Sequence, residues 1–158
     1  MFRLVALTLL LPLHCFACEF AVPSPFKPTA FFGPGHERVP SAPSVAIQSV
    51  RRGRVSFRGD SCADTGVVVL TIPATDTSRN LAYTFEQIAG KAPTQEAIFP
   101  PGPSTGHERN GLLVFAFPWL DGATNTHTPL DLTVRVAAFT KSGKRGGFTD
   151  VHITDSGR

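Results

Sequence analysis

The chain is poor in several residue types, and each shortage argues against a particular class of protein or site. Only 17% of its 158 residues are charged and the net charge is +3, too little for a typical nucleic-acid-binding face. Basic residues cluster at Arg51–Arg54 and Lys141–Arg145 among glycines, which is typical of solvated turns. The single methionine argues against a methionine-ligated copper site. No segment spaces its apolar residues as a helix does, so long helices are not expected.

The common motifs for phosphate binding and for zinc-dependent proteolysis are also missing. The sequence has no G-x-x-x-x-G-K and no H-E-x-x-H motif. Gly-His-Glu-Arg occurs twice and could bring His36 and His107 to one metal ion, but adjacent side chains rarely converge without further ligands. The RGD tripeptide Arg58–Asp60 is interpreted as a solvated turn. We therefore expect no enzyme, no cofactor and no bound metal, and keep a metal-dependent enzyme or metal-binding protein as the last alternative.

A secretory leader is predicted at the N-terminus. Met1–Arg3 is a short positive start, and Leu4–Leu13 is an apolar run followed by small residues before Cys18. The run is shorter than the roughly 20 apolar residues that span a bilayer, and no second long run follows. We expect residues 1–17 to be removed and the protein to be exported without a membrane span. It would then be periplasmic, secreted or anchored at the outer membrane.

Two cysteines, Cys18 and Cys62, remain after the expected cleavage. In an oxidising compartment they can form a disulfide that ties the N-terminal segment to the domain. Alternatively, Cys18 carries a lipid anchor, because a first mature cysteine after Ala17 resembles a bacterial lipoprotein signal. That motif normally has Leu, Val or Ile three places before the cysteine and a small residue two places before it, where this chain has Cys15 and Phe16. The disulfide is favoured, but spacing alone leaves both possibilities open.

Residues 18–43 predict an extended arm or linker. Six prolines interrupt any regular hydrogen-bond ladder, and each biases the preceding residue towards extended conformations. Phenylalanines such as Phe20 and Phe26 are interspersed with these prolines. We expect parts of the arm to dock on the chain's own domain.

Residues 44–158 predict a series of short strands. Val67–Ile72 is a β-branched run that suits a buried central strand. Leu112–Trp119 alternates, with its odd-numbered residues on one apolar face. Leu130–Thr154 alternates, turns on three glycines and alternates again, which is typical of a hairpin.

The segment from about Ser44 to Thr154 resembles a fibronectin type III domain or a close immunoglobulin-like relative. Leu132–Gly143 follows the pattern of that family's strand F and its polar turn, and Tyr83 and Phe85 are similar to its strand C aromatics. Leu132 stands where the family usually has tyrosine, and the strand B tryptophan is missing. The resemblance implies an all-β, antiparallel β-sandwich of about seven strands, and it implies no activity.

The predicted function is that of an exported, non-catalytic binding or structural module of the cell envelope or surface. Its partner would be a protein or a glycan, recognised by loops on rigid sheets. The candidate contact residues are Lys141, Lys144 and Arg145 in the turn of the last hairpin. A carbohydrate-binding accessory domain is the alternative, since Tyr83, Trp119 and several phenylalanines could stack on sugars, although alternation places most of them inward.

Overall fold

The structure, a computed structural model, describes residues 20–29, 37–56, 62–94 and 97–158 as two packed antiparallel sheets. In chain order the strands are β1 (Ser24–Pro25), β2 (Ala46–Arg51), β3 (Thr65–Pro73), β4 (Ala82–Lys91), β5 (Ser104–Thr105), β6 (His107–Arg109), β7 (Leu112–Leu120), β8 (Leu130–Phe139) and β9 (Arg145–Asp155). One sheet has the order β1-β5-β4-β8-β9 and the other has the order β2-β3-β7-β6. The predicted all-β sandwich is confirmed.

Nine strands are found in the described part of the chain, where about seven were expected. The sequence gives no signal for the three shortest strands, β1, β5 and β6, which span two or three residues each. Two of them lie in the proline- and glycine-rich connection before β7, and one lies in the arm. Such short polar segments give no alternation signal, so only their pairing with β4, β7 and one another reveals them.

Alternating side chains from both sheets fill the core. On β7, Leu113, Phe115, Phe117 and Trp119 are all buried, as the sequence predicts. The predicted inward face of β8 is buried as well: Leu132, Val134, Val136 and Ala138 are each 0% exposed. The ring of Phe85 on β4 lies 4.9 Å from that of Phe115 and 4.7 Å from that of Phe117, measured between centroids. Aromatic contacts therefore join the two sheets across the core.

The predicted central strand and last hairpin are also present. β3 pairs with β2 on one side and with β7 on the other, over the full length of β7. β8 pairs with β9 from Leu130↔Asp155 to Phe139↔Arg145, and the chain turns through Thr140–Lys144. Within the turn, the backbone N–H of Gly143 donates to the carbonyl of Thr140 at 2.9 Å, and Gly143 has a φ of 88°. A glycine suits this position because a side chain is strained at such a φ.

The described parts of the arm, residues 20–29 and 37–43, contact the sandwich at several backbone groups. Strand β1 pairs with β5, and the N–H of Ala116 on β7 donates to the carbonyl of Ala21 at 3.0 Å. Near the last turn, the N–H of Thr29 donates to the carbonyl of Lys141 at 2.7 Å. Along β9, the N–H of Gly147 donates to the carbonyl of Pro40 at 2.9 Å. The expectation that the arm docks on its own domain is confirmed for these segments.

Three predictions fall outside the described residues or depend on them. Cys18, His36 and the RGD tripeptide Arg58–Asp60 are not described, and Cys62 begins a turn directly before β3. The pairing of Cys18 with Cys62 and the lipid anchor at Cys18 therefore stay predictions. In the part of the chain that the structure describes, no helix is long and apolar enough to cross a bilayer.

Candidate functional site

One end of the sandwich gathers four segments that are distant in sequence. Here β2 ends at Arg51 and continues through Arg52–Arg54, and the turn Cys62–Asp64 leads into β3. The loop 121–129 joins β7 to β8, and the chain leaves β9 at Asp155. We call this region the arginine end. The turn Thr140–Lys144 lies at the opposite end of β8, and we call it the hairpin end.

A buried carboxylate, that of Asp121, organises the arginine end. Arg52 donates to it twice, from Nε to Oδ2 and from Nη2 to Oδ1, both at 2.9 Å. The backbone N–H of Gly53 donates to Oδ2 at 2.8 Å, and the indole N–H of Trp119 donates to Oδ1 at 3.1 Å. Only 8% of the Arg52 side chain and 2% of the Asp121 side chain are exposed. The bidentate geometry and the additional donors satisfy a charge pair that would otherwise be costly to bury.

The electrostatics of this pair favour the charged state of both groups. Burial by itself raises the pKa of Asp121, but hydrogen bonds from Arg52, Gly53 and Trp119 outweigh burial and hold this pKa below its ordinary value of 3.8. The hydrogen bond to Asp121 raises the pKa of Arg52 above its ordinary value, and a further bond from Arg52 Nη1 to Asp155 Oδ1 acts in the same direction. Arg52 is thus a fixed structural cation, because its charge faces two carboxylates.

The backbone next to Arg52 is held from both sides. A Cβ atom on Gly53 would overlap the carbonyl oxygen of Gly122, so only glycine allows this close approach. The ring of His127 reaches the carbonyl of Gly53 with Nε2 at 2.7 Å, and its Nδ1 lies 3.3 Å from Asp121 Oδ2. Because Gly53 is fixed, the exposed side chain of Arg54 projects from an anchored backbone.

The segment after β9 is tied to the same loops. The N–H of His127 donates to the carbonyl of Gly157 at 2.9 Å, and the N–H of Gly157 donates to Asp155 Oδ1 at 2.8 Å. Gly157 is buried with a φ of 75°, which a residue with a side chain rarely adopts. These bonds hold exposed Arg158 beside the loops of the arginine end.

The anchored loops enclose a cleft of about 400 Å³. Arginines supply much of its wall, since Arg51, Arg52, Arg54 and Arg158 all line it. The other lining residues are mostly small or polar: Val50, Gly53, Thr124, Asn125, His127 and Asp155. A smaller cleft of about 180 Å³ adjoins it, lined by Arg51, Arg52, Arg54, Cys62, Ala63 and Thr65. Guanidinium groups in a polar cleft are suited to binding carboxylate, sulfate or phosphate groups.

The hairpin end holds the contact residues predicted from the sequence. The side chains of Lys141, Lys144 and Arg145 are exposed. Two of these residues also contact the arm: the carbonyl of Lys141 accepts from Thr29, and Lys144 Nζ donates to the carbonyl of Glu37 at 3.1 Å. The Glu37 carboxylate accepts a hydrogen bond from the Ser142 hydroxyl, and this bond lowers the pKa of Glu37. The cations of this turn therefore lie next to an acidic residue of the chain itself.

His107, one of the two candidate metal ligands, and His152 make local contacts. His107 Nε2 lies 2.8 Å from the carbonyl of Val22, and the neighbouring Glu108 accepts two hydrogen bonds from Arg79. His152 Nε2 lies 2.7 Å from Asp131 Oδ1 on the outer face of the sheet. No group of three His, Cys, Asp or Glu side chains that could hold a metal occurs among the residues that the structure describes. The proposed approach of His36 to His107 lies outside those residues.

The interpretation of Arg51–Arg54 as a solvated turn is wrong for Arg52 and Gly53, which are half-buried and buried as residues. The local sequence holds a weak signal for this, because a glycine between arginines allows a close backbone approach. The partner of Arg52 lies 69 residues away, so no spacing rule could identify Asp121. Comparisons with protein-family models, curated proteins and solved structures give no significant match to this chain.

Proposed function

We propose that this protein is an exported, non-catalytic binding module of the cell envelope or surface, built as a fibronectin type III or immunoglobulin-like sandwich. Its ligand-binding surface is the arginine end, and the two sheets are the rigid scaffold that positions it. The observation that carries the proposal is the arginine-lined cleft, whose loops are fixed by the buried Asp121.

The strand order supports the sandwich class. In immunoglobulin-like domains, strands A, B, E and D form one sheet and strands C, F and G form the other. If β2 is strand A, then β2-β3-β7-β6 has the order A-B-E-D, and β4-β8-β9 has the order C-F-G. The short β5 then lies beside strand C, and β1 of the arm extends that sheet.

The way in which the cations are presented supports a binding role. Arg51, Arg54 and Arg158 have no ion-pair partner among the described residues, whereas Arg52 is held by Asp121 and Asp155. The guanidinium of Arg51 lies 5.8 Å from the ring centroid of Phe20, within reach of a cation–π contact. Cations on anchored backbone lose less conformational freedom when they bind a ligand, which favours affinity.

The contacts of His127 fit a structural role at the arginine end. Its Nε2 lies 2.7 Å from the carbonyl of Gly53, and its Nδ1 lies 3.3 Å from Asp121 Oδ2. Both ring nitrogens of this histidine are therefore engaged with groups that position the loops.

Export and the state of Cys18 are tested by the intact mass of the mature protein. The protein is expressed with its own leader, recovered from membrane and soluble fractions and weighed with and without reductant. We expect a soluble species that begins at Cys18 and gains about two mass units on reduction, as a Cys18–Cys62 disulfide requires. Acyl mass on Cys18 would instead establish a surface lipoprotein. A protein that keeps residues 1–17 and stays inside the cell would contradict the proposal.

Binding is tested by co-sedimentation of the mature protein with cell-envelope material at low and high salt. The double variant Arg54→Ala/Arg158→Ala should reduce binding several-fold, because it removes two exposed cations of the cleft. The matched control, Lys141→Ala/Lys144→Ala, removes two exposed cations of the hairpin end and should leave binding unchanged. If the control variant loses binding instead, the hairpin turn is the contact surface. If neither variant changes binding, the proposed role of the arginine end is wrong.

A further inference from the structure

We infer that the cleft at the arginine end binds an acidic glycan, in which sulfate or uronic-acid groups contact the arginines and sugar hydroxyls contact the polar wall. This inference rests on the proposed function and names the ligand class of the same site. It is argued from the charge, the chemistry and the size of the cleft.

The cleft carries a net positive charge that the described residues leave uncompensated. Four arginines line it, and two aspartates, Asp121 and Asp155, accept hydrogen bonds from Arg52. The formal charge of this set is therefore +2. Among the described residues no carboxylate pairs with Arg51, Arg54 or Arg158, so their guanidiniums can contact a ligand. A planar guanidinium can donate two parallel hydrogen bonds to one oxyanion, which favours ligands with more than one acidic group.

The carboxylate of Asp155 does not oppose such a ligand strongly. It lies 3.1 Å from Arg52 Nη1, and it accepts a hydrogen bond from the N–H of Gly157 at 2.8 Å. The negative charge of Asp155 is thus already balanced in part by Arg52 and by the N–H of Gly157. The side chain of Asp121 lies behind the cleft and is 2% exposed. An incoming anion would meet the guanidiniums and the partly exposed Asp155 in the cleft, whereas the carboxylate of Asp121 is covered.

The neutral part of the wall favours a carbohydrate over a lipid. Asn125 offers an amide group that matches sugar hydroxyls, whereas the Thr124 hydroxyl already bonds the backbone of Thr126. Among the described residues of the lining, Val50 is the one aliphatic side chain larger than alanine. A lipid would require apolar surface for its acyl chains. At about 400 Å³, the cleft is within the range of small-ligand sites and has room for about two sugar residues.

The positive charge is too limited for nucleic-acid binding to be the better interpretation. The net charge of the whole chain is +3, and one of its cations, Arg3, lies in the predicted leader. The second basic cluster lies at the opposite end of β8, so the two clusters do not form one continuous face. Binding along a phosphate backbone depends on several cations on the same face. A bounded cleft with a few arginines suits a short acidic oligosaccharide instead.

The test is isothermal titration of the mature protein with a sulfated disaccharide of uronic acid and glucosamine. A neutral disaccharide of glucose and N-acetylglucosamine, inorganic sulfate and a single-stranded oligonucleotide are titrated in parallel. We expect the sulfated disaccharide to bind most tightly and its affinity to fall as salt rises. Arg54→Ala/Arg158→Ala should reduce this affinity at least tenfold, and Lys141→Ala/Lys144→Ala should not change it. Both variants alter exposed side chains, and unchanged circular dichroism and thermal midpoints would show that they fold.

Each result decides between defined alternatives. The inference is wrong if the neutral disaccharide binds equally well, if inorganic sulfate alone binds as tightly, or if the oligonucleotide binds best. It is also wrong if the arginine variant keeps full affinity for the sulfated disaccharide. If that disaccharide does not bind but Arg54→Ala/Arg158→Ala still reduces envelope binding, the ligand class is wrong and the proposed function stands. If envelope binding is also unaffected, both are wrong.

Discussion

The two basic clusters lie at opposite ends of the sandwich and are held in different ways. At the arginine end, loops 52–54 and 121–129 are fixed by a charge pair that is almost fully buried. At the hairpin end, the turn Thr140–Lys144 is fixed by backbone bonds to the arm and by contacts with Glu37. The first arrangement belongs to the core of the fold. The second depends on a peripheral segment that could be displaced without opening the sandwich.

This difference shows why a cluster of cations alone is a poor indicator of a binding site. Lys141–Arg145 has more basic residues exposed in its turn, yet Lys144 and the neighbouring Ser142 already contact the arm. In Arg51–Arg54, burying the middle arginine leaves its neighbours anchored but without ion-pair partners among the described residues. The cluster Arg51–Arg54 should therefore lose less conformational entropy when it binds a ligand.

The largest effect is expected at the centre of the arginine end. Asp121→Ala removes the carboxylate that compensates Arg52, and breaking a buried ion pair in this way costs about 3–5 kcal/mol. The free energy of unfolding, measured by urea denaturation, should fall by that amount. At the hairpin end, Ser142→Ala removes a hydrogen bond on a half-buried residue and should cost about 1 kcal/mol or less. If Asp121→Ala and Ser142→Ala lower the free energy of unfolding equally, the arginine end is not held more strongly than the hairpin end.

A second large effect is expected from Gly53→Ala. The new methyl group would overlap the carbonyl of Gly122, and the N–H of Gly122 is itself bonded to the carbonyl of Asp64 at 3.0 Å. Because backbone lies on both sides, the overlap cannot be relieved by rotating a side chain. Inserting a methyl group into such a packed site costs about 1–3 kcal/mol. Urea denaturation measures this loss, and affinity for an acidic ligand should fall as well, since Arg54 follows directly.

Acid should weaken the arginine end through Asp121. The pKa of this carboxyl is lower in the folded protein, so the folded state binds the proton more weakly than the unfolded state. Its stabilising contribution is therefore complete above the unfolded pKa of about 3.9 and is lost as pH falls through the folded pKa. The free energy of unfolding should decrease from about pH 5 to about pH 2, and Asp121→Asn should flatten this slope. A slope unchanged in Asp121→Asn would assign the effect to other carboxyls.

Measuring the same pH dependence at high salt separates the contribution of Asp121 from that of the exposed carboxyls. The exposed carboxyls Glu108 and Asp150 also have lowered pKa values, each caused first by a side-chain hydrogen bond, from Arg79 and Arg135 respectively. Their charges face solvent and are screened at about 1 M salt, whereas the buried pair is screened much less. The difference between the wild type and Asp121→Asn should therefore persist at high salt.

The sequence predicts the sheets well and the arginine end poorly, and the physical reasons differ. Strands β3, β7, β8 and β9 are evident because side chains alternate across a strand, so local pattern and burial agree. Arm docking is predicted only in general terms, since its contacts are mostly backbone bonds that any residue could make. The pairing of Arg52 with Asp121 depends on how β2 and the loop after β7 meet in space, and no local pattern encodes that meeting.

The smallest global effect is expected at the hairpin end, from Gly146→Ala. The new methyl group would overlap the carbonyl of Pro40, but the arm can move away because it packs on the outside of the sandwich. We expect the amide of Gly147 to exchange faster and residues 37–43 to become more sensitive to protease, with a global loss of about 1 kcal/mol or less. Thr149→Val, which removes a hydrogen bond to the carbonyl of Pro43 without any overlap, is the matched control. If Gly146→Ala destabilises the protein as strongly as Gly53→Ala, the arm is part of the cooperative fold, and the two ends are equally essential.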